Sequence, residues 1–320
     1  MDFAGGDFVI GPDYAPAPEG SARAGAPAGD LHACIMESRD SRLYPGIRRL
    51  ENEITRRRDA FGNRLAAEAH EQSEAAPYTR TVWVYVPQQY VPGTAAPFIV
   101  AQDGYLYVNR LPRVLDNLID QGRVPPLIAI LVDSGGGDAQ GSQRGLEYDT
   151  LSGRYSEFIE AEVLPRVEAE TGARLTTDPD GRATMGVSSG ADCAFTMAWF
   201  HPERYRRVLS YSGTFVNQQS PPDAQHPRGA WEYHASLIPH SDRRPLRIWM
   251  EVGERDLHAD DPEETWHNWP LANRRMAAAL AAKGYPYRFT LSLGGRHADP
   301  RVLEQTLPGA LEWLWQGFRS

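Results

Sequence analysis

Two periods of apolar and polar residues alternate along this chain. Thr81-Val82-Trp83-Val84-Tyr85-Val86 is β-branched and aromatic, and Pro87 ends it, which predicts a strand. Leu31 to Glu37, Pro97 to Ala101, Arg182 to Val187, Arg207 to Tyr211, Leu246 to Val252 and Tyr287 to Leu293 predict further strands. Leu127-Ile128-Ala129-Ile130-Leu131-Val132 is apolar on both faces, as suits a central parallel strand. Helical spacing runs from Leu111 to Gln121, Tyr155 to Thr171 and Trp266 to Lys283, with Gly122, Gly172 and Gly284 as the stops. A helix follows Ser188 to about His201, and the last one covers Leu307 to Phe318. Strands alternating with helices predict an α/β fold, a mostly parallel sheet with helices on both faces. Chemistry in such sheets is expected outside the carboxyl ends of the strands.

Two stretches stand apart from this rhythm. Residues 1 to 30 are rich in Pro, Gly and Ala and read as an extended arm. Residues 48 to 76 are charged and helix-favouring, as in Leu65-Ala66-Ala67-Glu68-Ala69, and read as a surface insertion. Residues 31 to 320 are then expected to form one α/β domain, with loops capping the site. The net charge of −9 and the lack of a basic cluster argue against nucleic acid as a partner. Arg56-Arg57-Arg58 is flanked by acids and reads as a solvated helix face. No apolar run approaches the about 18 residues that a membrane span needs. Met1 to Gly6 lacks the basic and apolar stretches of a signal peptide, which leaves a cytoplasmic protein or a mature exported form. Cys34 and Cys193 read as two free thiols. Oligomeric state stays open, a dimer included.

Gly186-Val187-Ser188-Ser189-Gly190 matches G-x-S-x-G between a predicted strand and a predicted helix. That setting is a nucleophile elbow, in which small residues flank a serine on a strained turn. Ser188 is the candidate nucleophile of an α/β-hydrolase fold, since the spacing of Ser189 to the glycines does not fit. A serine hydroxyl needs a base. His297 follows the last strand and is preferred to His258 and His267. An imidazole needs a carboxylate to fix its tautomer. Asp256 follows the strand ending at Val252, with Asp260 and Asp261 as neighbouring alternatives and Asp299 too close in sequence to His297. The order Ser188, Asp256, His297 is that of α/β-hydrolases. For the oxyanion hole, the backbone N–H of Ser189 is one donor, and Gly104 or Tyr105 in Gln102-Asp103-Gly104-Tyr105 offers the second.

Several segments carry a family resemblance from about Tyr78 to Trp315. Gln102-Asp103-Gly104, Arg144-Gly145-Leu146-Glu147-Tyr148-Asp149, Phe158 to Pro165, Met185 to Ala191 and Leu293 to His297 resemble the Putative esterase family, which includes enterochelin esterases, esterase D and feruloyl esterases. The resemblance implies a Ser-His-acid hydrolase that needs no cofactor and holds no metal. It implies hydrolysis of siderophore trilactones, feruloyl or acetyl esters, or related acyl transfer. Two departures stand out. The elbow ends Gly190-Ala191 where many members have two glycines, and Arg296 separates Gly295 from His297 where many read Gly-Gly-His.

The residues between Gly213 and Asp242 follow the strand after the elbow helix and can overhang the serine. Trp231, Trp266 and Trp269 are candidates to stack on an aromatic acyl group or a sugar, with packing within the cap as the alternative, and Arg144 to contact an anionic substrate, although a structural salt bridge with Glu147 or a cap residue is preferred for it. The acidic charge argues against an anionic ferric catecholate. The expected function is therefore serine carboxylesterase action, through an acyl-enzyme, on a small or carbohydrate-linked ester as the small-molecule partner. A siderophore trilactone esterase or an acyltransferase is the alternative. A binding module without catalysis ranks below both.

Overall fold

A computed structural model describes residues 5–50, 60, 72–136, 143–219 and 223–318. Most of the expected 48–76 insertion lies outside the described residues. Its ends, β3 (Ile47–Leu50) and β4 (Gln72–Ala75), pair antiparallel.

Among the described residues, nine strands form one sheet in the order β1-β13-β12-β11-β10-β7-β8-β5-β2. These are β1 (Gly6–Ile10), β2 (Asp30–Glu37), β5 (Thr79–Val86), β7 (Phe98–Gln102), β8 (Ile128–Val132), β10 (Arg182–Val187), β11 (Arg207–Tyr211), β12 (Arg247–Arg255) and β13 (Tyr287–Arg296). The short strands β6 (Ala95–Ala96) and β9 (Arg174–Leu175) pair apart from it. All neighbours from β1 to β8 run parallel, and β5 and β2 are antiparallel. This is the α/β-hydrolase fold that the strand–helix alternation predicts.

Helices cover both faces because the central strands bury both sides. Phe98, Val100, Ile128 and Ile130 face one core, where α3 (Arg154–Phe158), α4 (Leu164–Thr171), α5 (Ser189–Phe200) and α7 (Trp269–Ala282) pack. Ile99, Ala101, Ala129 and Met185 face the other, under α1 (Leu111–Asp120) and α8 (Pro300–Trp315). Two short helices, α2 (Gln143–Tyr148) and α6 (Ile238–His240), complete the set.

Two predicted boundaries shift. α7 begins at Trp269 rather than Trp266, because the Asn268 side chain caps it by accepting the Leu271 N–H at 2.9 Å. α8 begins at Pro300 rather than Leu307, and Asp299 caps it. Pro308 lies inside α8 and has no N–H for the Glu304 carbonyl. That carbonyl instead accepts the Ala17 N–H at 3.1 Å. The proline inside the helix therefore opens a docking point for the N-terminal segment.

The segment uses that point on a path across the sheet. β1 adds to the edge beside β13, a strand too short to stand out in the sequence. The Tyr14 hydroxyl then donates to the Leu293 carbonyl at 2.6 Å. Asn117 of α1 donates to the carbonyls of Glu19 and Ser21, and Gly29 donates to Asp116 just before β2 begins on the far edge. Cys34 and Cys193 are free thiols. Among the described residues, no helix is long and apolar enough to cross a membrane.

A fully buried ion pair ties β5 to α2. Arg80 donates twice to Glu147, at 2.6 and 2.9 Å, and also to the Asp133 carbonyl at 3.1 Å. Glu147 in turn accepts from Gln143 and from the Gly135 N–H. Removing one charge of such a pair strands the other in an apolar core. Glu147→Gln is expected to cost about 3 kcal/mol of stability, read as a lowered midpoint in urea unfolding; an unchanged midpoint would show the pair to be energetically neutral.

Candidate functional site

The candidate serine sits where two backbones nearly touch. A Cβ on Gly186 would lie 2.2 Å from the Gly190 carbonyl group and 2.6 Å from the Ala191 nitrogen. β10 and α5 approach this closely because Gly186 has no side chain, while a Cβ on Gly190 would meet Gln102 and Asp103 at 3.2 and 3.3 Å on the neighbouring loop. The turn between them forces Ser188 to φ 58°, ψ −129°, a conformation that L-residues rarely adopt. Such strain recurs at this end of the sheet. The described non-glycine residues with positive φ are Asp103, Ser188, Ser212, His258, Trp266 and Ala298, and each lies beyond the carboxyl end of a strand.

Three of the sequence-predicted residues meet there. His297 Nε2 lies 2.9 Å from Ser188 Oγ, and His297 Nδ1 lies 2.6 Å from Asp256 Oδ1. Asp256 is buried and also accepts the Leu257 N–H at 2.7 Å. β12 and β13 bring the two loops together by a second close approach. A Cβ on Gly253 would meet the Gly295 carbonyl oxygen at 2.4 Å, and the pairing shifts register between Gly253 and Arg255. The Trp269 ring stands edge-on to His297, with centroids 5.9 Å apart. The Ala298 N–H donates to Ser212 Oγ at 2.9 Å and fixes the turn after the histidine.

Three of the competing residues, His258, Asp261 and Asp299, are engaged elsewhere. Asp261 pairs with His258 at 2.8 Å on the exposed part of its loop. Asp299 caps α8 and binds Arg301, which holds its carboxyl below the usual carboxylate range. His267 is pushed down by burial.

Ser189 opens α5, so its N–H has no acceptor within the helix. Gly104 opens a 3₁₀ turn after β7, beside Asp103 in the left-handed conformation. The Tyr105 N–H, by contrast, donates to Asp133 Oδ1 at 2.9 Å and is withdrawn from the expected oxyanion role.

The substrate-contact expectations need larger corrections. Arg144 does not await an anion; it grips Asp103 with two bonds of 3.1 and 2.7 Å. Tyr148 receives the Asp103 N–H at 3.1 Å. α2 thus clamps the loop opposite the serine, and the Arg80–Glu147 pair anchors α2. Trp231 and Trp269 are each 1% exposed and pack in the core, Trp231 because its part of the 213–242 segment folds down against α5 and α7, and Trp269 because it opens α7. Trp266 is half-buried, its ring near the Arg228 guanidinium. Sequence reasoning missed Thr214, whose hydroxyl lies 3.3 Å from Ser188 Oγ and whose N–H donates to the Ser188 carbonyl. No local motif marks it, because only the fold of the 213–242 segment places it there.

One buried acid lies beneath this cluster. Glu251 of β12 accepts the Ser292 hydroxyl at 2.7 Å. Burial pushes its carboxyl up to about 8; the Ser292 bond opposes this, and the negative charges of Asp256 and Asp299 add to it.

The sheet, its flanking helices and the strained serine elbow define an α/β-hydrolase. A family model described as Putative esterase matches residues 73–312, and the chain belongs to that family. An iron(III) enterobactin esterase from Dickeya dadantii (strain 3937) is 26% identical over 268 residues, covering 77% of this chain and 54% of the relative. The chain thus spans about half the length of that curated relative. The solved enterochelin esterase of Shigella flexneri superposes with a TM-score of 0.58 at 24% identity, covering 74% of this chain and 55% of that one. A ferulic acid esterase from Anaeromyces mucronatus, solved with ferulic acid, superposes with a TM-score of 0.61 at 12% identity, covering 94% and 96%.

Glu251 generates a pH prediction. Its folded-state pKa is raised, so its stability contribution is complete below the unfolded value and is lost as pH rises through the folded one. Wild-type protein should therefore lose melting temperature relative to Glu251→Gln as pH rises from 4.5 to about 8. Parallel melting curves across that range would mean that folding leaves the Glu251 pKa unchanged.

Proposed function

We propose that this protein is a serine carboxylesterase in which Ser188, His297 and Asp256 act as nucleophile, base and orienting acid. The observation that carries the reading is the unbroken chain of contacts from Ser188 Oγ through His297 to buried Asp256, at 2.9 and 2.6 Å. Ser188 Oγ attacks the ester carbonyl carbon while His297 Nε2 takes the hydroxyl proton. Asp256 Oδ1 accepts the Nδ1–H, holds the tautomer and stabilises the imidazolium. The N–H groups of Ser189 and Gly104 donate to the oxyanion, aided by the positive end of α5. The tetrahedral adduct collapses, and His297 returns the proton to the departing alkoxide. Water, deprotonated by His297, then attacks the acyl-enzyme, and the acid leaves with Ser188 restored.

The substrate reading is a small or carbohydrate-linked ester with an apolar acyl part. Exposed Tyr105 and Leu106 follow Gly104, and exposed Leu257 follows Asp256, so apolar surface borders both loops. Arg144 is committed to Asp103, which counts against an anionic acyl group. The similarity to the Dickeya enterobactin esterase favours a second reading, a siderophore trilactone, on the same residues.

Ser188→Ala is expected to lower kcat on a short p-nitrophenyl ester by roughly 10⁴-fold or more and to abolish labelling by a fluorophosphonate. Full activity in that variant would sink the assignment. A panel of acetyl, feruloyl and trilactone esters separates the two substrate readings by kcat/KM.

A further inference from the structure

One cavity stands at the wrong end of the sheet for the chemistry above. It has a volume of about 580 Å³, within the range of small-molecule sites. Arg207 and Arg247, which begin β11 and β12, open onto it. β10 begins here and ends just before Ser188; its six residues, each rising about 3.3 Å, put roughly 20 Å between the cavity and the elbow.

Five arginines and two aspartates line this cavity, a surplus of three positive charges on a chain whose net charge is −9. Asp180 is engaged by Arg206 at 3.0 Å. The other four cations have no carboxylate in ion-pair contact among the described residues. Arg247 donates to the Trp313 carbonyl and the Gln316 side chain, and Arg207 to the carbonyls of Asp180, Leu314 and Gln316. Arg243 donates to the Gly284 carbonyl. No guanidinium N–H of Arg244 is taken up by another described group. Neutral acceptors satisfy N–H groups but bring no countercharge; for Arg207, burial lowers the pKa and the charges of Asp180 and Asp178 offset this only in part.

Three of these guanidinium groups also lie near aromatic rings. Arg247 lies 3.7 Å over the Trp313 ring, Arg244 lies 4.0 Å over Trp199, and Arg207 lies 5.4 Å from Trp315. These ring contacts restrict the side chains before any ligand arrives, so less rotamer entropy remains to be lost. Burial, and after it the charge of Arg207, pulls Arg247 down to about 10. An anion in the cavity would relieve that repulsion. Pro245, Leu246, Pro286 and Phe318 give the remaining wall an apolar part, beside Gln316 and Gly317.

We propose that this cavity is a binding site, separate from the esterase site, for a small molecule that carries a phosphate-type dianion on an apolar or aromatic ring. Planar, preset guanidinium forks match phosphate oxygens, and the proline and phenylalanine wall takes the ring.

Calorimetric titration with phenyl phosphate and with inorganic phosphate tests this, on protein whose serine has first been blocked by a fluorophosphonate. Saturable one-to-one binding of phenyl phosphate, weakening as salt rises, is the expected result. Inorganic phosphate should bind more weakly, and equal affinity for the two overturns the role of the apolar wall. Arg243→Gln/Arg244→Gln, on the exposed side of the cavity, should weaken phenyl phosphate at least about tenfold and leave ester hydrolysis by the unblocked variant unchanged. No saturable heat, or binding by the variant equal to wild type, overturns the site. The titrations do not depend on the esterase reading: if the fluorophosphonate labels nothing, they are read on untreated protein.

Discussion

The contact between Gly186 and Gly190 is the constraint on which the rest of the arrangement rests. Two backbones within van der Waals range leave Ser188 no relaxed conformation. Strain of this kind costs on the order of 1–3 kcal/mol per residue and persists only where surrounding packing over-determines it. Here β10 is buried along its whole length and α5 is buried on nearly every side, so neither can withdraw. The serine therefore projects from the carboxyl end of the sheet, with the positive end of α5 beneath it. Every other described strained residue lies at that same end, while the opposite end is regular.

Around the serine, order is supplied from two directions. On one side, the Gly253–Gly295 contact and the bulge in β13 bring Asp256 within reach of His297, and Trp269 and Ser212 brace the turn. On the other, Arg144 and Tyr148 fix Asp103, so the loop facing the elbow is held by a short helix that itself hangs on a buried ion pair. The sheet is also asymmetric in charge. Carboxyl groups collect beneath the serine, where Glu251, Asp256 and Asp299 share one neighbourhood. Arginines stacked on tryptophans collect at the amino ends of the strands. A single sheet thus separates a strained, acidic end from a rigid, basic one.

The matched family region begins at residue 73, whereas the segment before it adds β1 to one edge of the sheet and β2 to the other. The path between those strands depends on the carbonyl that Pro308 frees in α8. The same proline obscured the start of that helix in the sequence, because a proline suggests a helix beginning and here lies well inside one.

Much of the sheet was legible from residue order alone. A run such as Leu127 to Val132 has no polar face, so burial on both sides is its sole stable environment, and G-x-S-x-G between a strand and a helix admits little besides an elbow. Ser188, Asp256 and His297 were selected by their positions after strands, and the structure brings those three side chains together. What sequence does not encode locally is which polar group another polar group will meet. Arg144 was equally suited to a substrate anion and to Asp103, and only packing α2 against the loop made that choice. The Tyr105 amide was lost to Asp133, Trp231 and Trp269 to the core, and Thr214 was delivered to Ser188, all by contacts between segments distant along the chain. Periodicity reports the burial of one element at a time, whereas hydrogen bonds and ion pairs depend on the relative placement of several, and that is settled only when they pack.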